Sequence, residues 1–182
     1  MINIYKLKLT ILQQEILRLL FIKVGKQLNQ RQISKYLNVS QPAVKKSLPK
    51  LDKENLIKIQ QDKESKRWSI ELNRDHHSIL QLKRVDNLKL IYESGLADFL
   101  EEKFAGTTII LFGSYSRGED LINSDIDIAI IGAKDKLLEL EKYEKTLDRE
   151  INVNFYKSWK GIHEHLKNNI LNGIILYGSV EL

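Results

Sequence analysis

Between Leu111 and Ile131 the chain reads LFGSYSRGEDLINSDIDIAII, with ten residues separating Gly113-Ser114 from the pair Asp125 and Asp127. In a strand successive side chains alternate between faces, so Asp125 and Asp127 share one face while Ile126 and Ile128 point to the other. Two close carboxylates repel and raise a pKa, and a divalent cation relieves that repulsion. Mg²⁺, or Mn²⁺ in its place, favours carboxylate together with phosphate oxygens, and such ions clamp the attacking and leaving oxygens of a nucleotidyl transfer. Gly113 lets the backbone approach a triphosphate, and the Ser114 hydroxyl and neighbouring N–H groups are donors for phosphate oxygens. A lone Asp-x-Asp is common surface decoration; its combination with an upstream Gly-Ser turn, both at strand ends, is more specific.

Several elements must position these groups. TTIILF, ending at Phe112, is rich in β-branched residues and predicts a buried strand, and DIDIAII predicts a second. REINVNFY predicts a later strand on which Glu150, Asn152 and Asn154 share one parity. KLLELEKYEKTL predicts a helix covering the sheet, SWKGIHEHLKNNILNG a helix through Ile162, Leu166 and Ile170, and GIILYG a last strand. His163 and His165, two apart on a helix, make poor joint ligands, and His76 and His77 read as surface residues. Trp68 and Trp159 read as packing residues.

The first half has another character. Residues 1–90 hold 19 Lys and Arg against 8 Asp and Glu, a net +11, whereas residues 91–182 hold 10 against 16, a net −6. A basic half favours a polyanion partner, and an acidic half with clustered carboxylates favours a cation. Apolar spacing predicts a helix from Thr10 that fades at Gly25. A second helix follows Asn29 as N-cap, and a third, QPAVKKSLPKLDKE, follows Ser40. Pro42 suits the first turn of that third helix, whereas Pro49 lies deep enough to predict a kink. LIKIQ and RWSIEL then predict a hairpin with a charged tip. Residues 75–104 keep an apolar stripe through Ile79, Leu82, Val85, Leu88, Tyr92, Leu96, Phe99 and Leu100. The stripe predicts a rigid connecting helix, with Gly95 as an interruption and an exposed part available as a homodimer seam.

Helix, helix, short turn, helix, hairpin is the order of a winged helix-turn-helix, and LNVSQPAVKKSLPKLDKENLIK resembles the bacterial and archaeal winged-helix transcription regulators. The resemblance implies a double-stranded DNA partner, with the helix from Gln41 entering the major groove. Gln41 would read a base edge, and Lys45, Lys46, Lys50, Lys63, Lys66 and Arg67 would neutralise phosphates. Winged helices also serve as dimerisation modules, a competing reading.

GSYSRGEDLINSDIDIAII resembles the signature of the DNA polymerase beta-like nucleotidyltransferases, in particular their minimal prokaryotic members. The whole order resembles archaeal nucleotidyltransferase-domain transcription regulators. By that resemblance Gly113 and Ser114 hold the nucleotide phosphates, Arg117 lies near them, and Asp125 and Asp127 ligate Mg²⁺ or Mn²⁺. Active relatives carry a third carboxylate on a later strand, where this chain offers Asn152, Asn154 or Glu150. Asparagine keeps an oxygen ligand but not the charge, so nucleotide binding is expected to be more secure than turnover.

The expected fold class is α+β. Residues 1–74 are read as a winged helix-turn-helix DNA-binding domain, 75–104 as the connecting helix and first helix of a second domain, and 105–182 as a minimal nucleotidyltransferase domain with a small mixed sheet. Three functions follow. An Mg²⁺-dependent enzyme would move an NMP from an NTP to a hydroxyl of a protein, nucleic acid or small molecule. A DNA-binding regulator would use a degenerate domain as a nucleotide sensor. An antitoxin-like protein would modify or mask a helical toxin partner. The absence of cysteine excludes disulfides and thiolate metal sites. No apolar run is long enough for a bilayer, and Lys6, Lys8, Glu15 and Arg18 interrupt the segment where a signal peptide would lie, so a cytoplasmic protein without a membrane partner is expected.

Overall fold

A computed structural model describes residues 8–61 and 68–181, and its chain divides into two compact units, Met1–Ile79 and Leu80–Leu182. In the first unit, α1 (Ile11–Ile22) starts at Thr10, whose side chain accepts from the Gln13 N–H while Gln13 reaches back to the Thr10 N–H. The same reciprocal cap, Asn29 with Gln32, starts α2 (Gln30–Leu37), and Ser40 caps α3 (Gln41–Lys53). Such caps satisfy amide donors that the first turn leaves without partners. Asn38 closes α2 in the left-handed region at φ 52°, which makes the turn into α3 tight. The helix α3 runs through Pro49 as one element of 13 residues, and Pro49 is exposed on it.

Strands β1 (Ile57–Gln61) and β2 (Trp68–Leu72) pair antiparallel, with Ile57 opposite Leu72 and Ile59 opposite Ile70. Ile16, Leu20, Ile33, Val44, Leu51, Leu56, Ile57 and Ile70 are fully buried in this unit. Three helices followed by a two-stranded wing form a winged helix-turn-helix. Trp68, expected to pack, is instead 44% exposed: it shares a face with the buried Ile70 and Leu72 but sits at the outer end of β2, opposite exposed Gln61.

In the second unit, α4 (Ile79–Glu93) and α5 (Leu96–Lys103) meet at Gly95, whose φ of 74° ends the helical run. Strands β3 (Thr108–Phe112), β4 (Ile126–Ile131), β5 (Ile151–Tyr156) and β6 (Ile174–Tyr177) form one sheet in the order β5-β4-β3-β6. The β4–β5 pair is parallel and the others antiparallel, so the sheet is mixed and the architecture α+β. One face carries Ile109, Leu111, Ile126, Ile128, Ile130 and Ile151 into a core with α4, α5 and α7 (Glu141–Leu147). The other carries Ile110, Phe112, Ala129 and Ile131 against Trp159, Ile162 and Ile170.

Three expectations need correction. The helix expected over KLLELEKYEKTL forms only at Glu141–Leu147; Leu138 and Leu140 pack on the core from irregular chain ahead of it, while Leu137 is 98% exposed. The continuous helix expected over SWKGIHEHLKNNILNG is a 3-10 turn, Trp159–Gly161, and then α8 (Glu164–Leu171). Ile162 between them is extended (φ −94°, ψ 128°), which turns its side chain into the core beside Trp159. The stripe assigned to α4 holds only in part: Ile79 is buried and Leu88 packs on the core, but Val85 is 68% and Tyr92 47% exposed, and Lys83, Asn87 and Ile91, continuing from Ile79 in steps of four, are buried instead.

Between β3 and β4, a Cβ on Gly118 (φ +75°) would lie 2.3 Å from the Leu80 carbonyl oxygen and 2.8 Å from the Arg84 nitrogen. Gly118→Ala is therefore expected to destabilise the second unit by about 1–3 kcal/mol or more, through clash and backbone strain together. Thermal unfolding checks this, and an unchanged melting temperature would mean that the segment between β3 and β4 yields without cost.

Candidate functional site

The register of the sheet builds the site. Phe112 at the end of β3 faces Asp127 on β4, and Asp127 faces Asn152 on β5. Paired residues share a face, so Asp127, Asn152 and the preceding Asp125 continue the row of Ala129, Ile131 and Phe112 past the edge of the packed core. Asp125, one residue before β4, and Asp127 are half-buried, open on one side to solvent. Asn152 Nδ2 donates to Asp125 Oδ2 at 2.9 Å.

The Gly-Ser turn closes against these carboxylates. The short helix α6 (Gly113–Arg117) follows β3 directly, and Gly113 has φ +76°. A Cβ there would lie 2.3 Å from Asp127 Oδ2, so only glycine fits where the backbone passes the carboxylate. No side chain caps α6, which leaves its first amides to other acceptors. Burial first, and the charge of Asp125 second, push the Asp127 carboxyl above its ordinary value.

Among the remaining predicted positions, Asn152 is the one beside the acid pair. Asn154 lies opposite Ala129, a full alternation further in. Glu150 is exposed, outside β5, and its carbonyl accepts from the Ile126 N–H at 2.8 Å. Glu150 and Asp125 line a cleft of about 620 Å³ with Ser124, Glu144 and Arg149. The Arg117 guanidinium donates to Glu119 at 2.7 Å and to Asn169 of α8 at 3.2 Å. Among the described residues no three His, Asp or Glu side chains gather to hold a metal, and His163 and His165 stack at 5.5 Å on the surface.

These residues fit one divalent cation held by Asp125 and Asp127, with phosphate oxygens completing its shell. They do not form a second, carboxylate-rich position, because Asn152 brings a hydrogen-bond donor to Asp125 rather than a third charge.

On the first unit, Gln41, Lys45 and Lys46 are exposed on α3, and Gln30, Gln41, Pro42 and Lys45 line an open concavity of about 680 Å³. Lys50 instead bonds through its ammonium to the Lys8 carbonyl. Lys63, Lys66 and Arg67 lie outside the described residues.

The family model described as "Nucleotidyltransferase domain" matches residues 93–177, a span that runs from the end of α4 to the end of β6. None of the curated proteins matches the chain. Among solved structures, the adhesin competence repressor AdcR from Streptococcus pyogenes is 25% identical, with 57% of this chain and 72% of that chain covered and a TM-score of 0.43. A ZitR mutant from Lactococcus lactis is 24% identical over 58% of this chain and 68% of its own, at a TM-score of 0.41. A MepR mutant from a multidrug-resistant S. aureus clinical isolate is 24% identical over 54% and 67%, at 0.40. No helix among the described residues of the chain is long and apolar enough to cross a membrane.

Four residues of the second unit were missed from sequence: Lys83 and Asn87 on α4, Asp120 after α6, and Arg149 before β5. All four are buried and joined by hydrogen bonds. The signal that could have found two of them is the four-residue spacing of Ile79, Lys83, Asn87 and Ile91 along one helix face.

The raised pKa of Asp127 has a sign that can be tested. A carboxyl raised in the folded state favours folding fully below its unfolded pKa, and that contribution is lost as pH rises through the folded value. Asp127→Asn is expected to melt at or a few degrees above the parent at neutral pH, with the difference closing in acid. Mg²⁺ is expected to raise the melting temperature of the parent and not of the variant. A variant less stable than the parent at neutral pH would show that the charge is already compensated within the fold.

Proposed function

We propose that the nucleotidyltransferase domain binds the Mg²⁺ or Mn²⁺ complex of a nucleoside triphosphate and transfers its NMP to a hydroxyl acceptor, while the winged helix binds double-stranded DNA. The observation that carries this reading is the approach of the Gly113 backbone to Asp127, beside Asp125 on the same face. A polyphosphate against the turn receives amide and Ser114 hydroxyl donors there, and negative charge from the phosphates meets the two carboxylates only if a cation lies between. The cation supplies charge neutralisation to the phosphate oxygens. Asp125 and Asp127 orient it, and Gly113 leaves the room. The acceptor oxygen attacks the α-phosphorus, the bond from that phosphorus to the bridging oxygen breaks, pyrophosphate leaves, and the hydroxyl proton passes to solvent or a carboxylate.

Asn152 favours a second reading, in which the domain binds nucleotide without turning it over and acts as a sensor for the DNA-binding unit. Asparagine accepts no proton and adds no charge where the acceptor would have to be activated. The two readings separate when the protein is incubated with labelled NTPs and Mg²⁺. Label on an acceptor or released pyrophosphate supports transfer, and affinity without either supports the sensor. Asn152→Asp, which places a third carboxylate level with Asp127, is expected to raise any transfer rate about tenfold or more, a barrier change of about 1.4 kcal/mol. An unchanged or lower rate would remove Asn152 from the account of slow turnover.

For the first unit, the exposure of Gln41, Lys45 and Lys46 on one helix supports phosphate and base contacts. Affinity for duplex DNA is expected to fall as salt rises, and Lys45→Ala to reduce the slope of log affinity against log salt by about 1. A slope near zero in the parent protein would exclude phosphate contacts as the source of binding.

A further inference from the structure

The second unit buries a charged cluster that the proposed chemistry does not use. Lys83 is 1%, Asp120 2%, Asn87 4% and Arg149 6% exposed. The Lys83 ammonium donates to an Asp120 carboxylate oxygen and, at 3.0 Å, to the Asp120 carbonyl. Asn87 Nδ2 donates to the same Asp120 carboxylate at 2.8 Å and to the Tyr115 carbonyl at 2.9 Å, and an Arg149 nitrogen lies 3.4 Å from the other carboxylate oxygen. Removing such charges from water is expensive, and a well-packed apolar cluster would often be as stable. Stability alone is therefore a weak explanation for them.

Their placement supplies a better one. Tyr115 is inside α6, the helix that opens with Gly113 and Ser114, and Asp120 begins the loop leading to Asp125. Between them Gly118 lies so close to the α4 backbone at Leu80 and Arg84 that no Cβ fits. Arg149 adjoins Glu150 at the entrance to β5, three residues before its side of the site begins at Asn152. Thus α4 grips the turn at Tyr115, Gly118 and Asp120, and Asp120 also faces the lead into β5. Lys83 and Asn87 lie upstream of residues 93–177, outside the span that matches the nucleotidyltransferase domain.

We infer that Lys83, Asn87 and Asp120 are positioning residues, which fix the Gly113–Arg117 turn at the distance from Asp125 and Asp127 that a metal-bound triphosphate requires. This rests on the nucleotide-site reading above. None of the three touches the ligand; they act through the backbone of α6 and its following loop. Second-layer contacts of this kind are worth about 10- to 100-fold when removed.

The test uses the whole chain, a fluorescent ATP analogue with Mg²⁺, and Mn²⁺ alone followed by electron paramagnetic resonance. Lys83→Met keeps the side-chain stem and leaves Asp120 facing Arg149, and Asn87→Ala leaves the Lys83–Asp120 pair intact, so one covers the other if either fails to fold. Each folded variant is expected to bind the nucleotide about 10- to 100-fold more weakly while its affinity for Mn²⁺ alone stays at the parent value. Phe104→Leu, a core change on the same unit away from the turn, serves as the destabilised control and is expected to keep nucleotide affinity. Parent-like nucleotide affinity in folded Lys83→Met or Asn87→Ala overturns the inference, as does an equal loss in Phe104→Leu at equal melting temperature. If the parent itself binds neither this analogue nor any other NTP with Mg²⁺, the nucleotide-site reading fails first, and the inference with it.

Discussion

Two carboxylates on one face of a strand end, with a glycine backbone pressed against one of them, set the constraint on which the second unit depends. Alternation along β4 commits Asp125 and Asp127 to the same side, and the register with β3 and β5 brings Phe112 and Asn152 beside them. Among the described residues no ion pair joins Asp125 or Asp127, and Asn152 contributes one amide donor. Burial and the charge of Asp125 leave Asp127 with a raised pKa, an arrangement that weakens folding at neutral pH.

The remaining elements of the domain hold that arrangement in place. Apolar residues of β3 and β4 fill both faces of the sheet up to Phe112 and Ala129, so the carboxylates begin where the hydrocarbon stops. Gly113 sits in the left-handed region against Asp127, and Gly118 repeats the close approach against α4. The buried Lys83, Asn87 and Asp120 then tie the intervening turn to a helix outside the strands. Polar groups at such depth are costly unless paired, and here each bond runs to a segment that borders the site.

Much of this was legible in the residues. The N-caps Asn29 and Ser40, the interruption at Gly95, and the period-two pattern of DIDIAII depend on local chemistry, which short sequence windows contain. The Gly-Ser to Asp-x-Asp spacing also survived folding, because a strand fixes parity whatever surrounds it. Long-range polar pairing was not legible. In α4 the apolar count favoured Val85 and Tyr92 for the core, yet Lys83 and Asn87 are buried because Asp120 and the Tyr115 carbonyl wait beneath them, 37 and 28 residues along the chain. The break at Ile162 had a similar origin: its spacing with Leu166 and Ile170 is helical, but extended backbone delivers it beside Trp159. Choosing Asn152 over Asn154 required the β4–β5 register, which parity alone leaves open.

The most direct measurement is a crystal structure of the chain with Mn²⁺ and a nonhydrolysable nucleoside triphosphate analogue, with the metal located by its anomalous scattering. The expected result is a peak bridging Asp125 and Asp127, with the triphosphate against Gly113 and Ser114. A nucleotide bound elsewhere, or a metal held without either aspartate, would contradict the account at its centre.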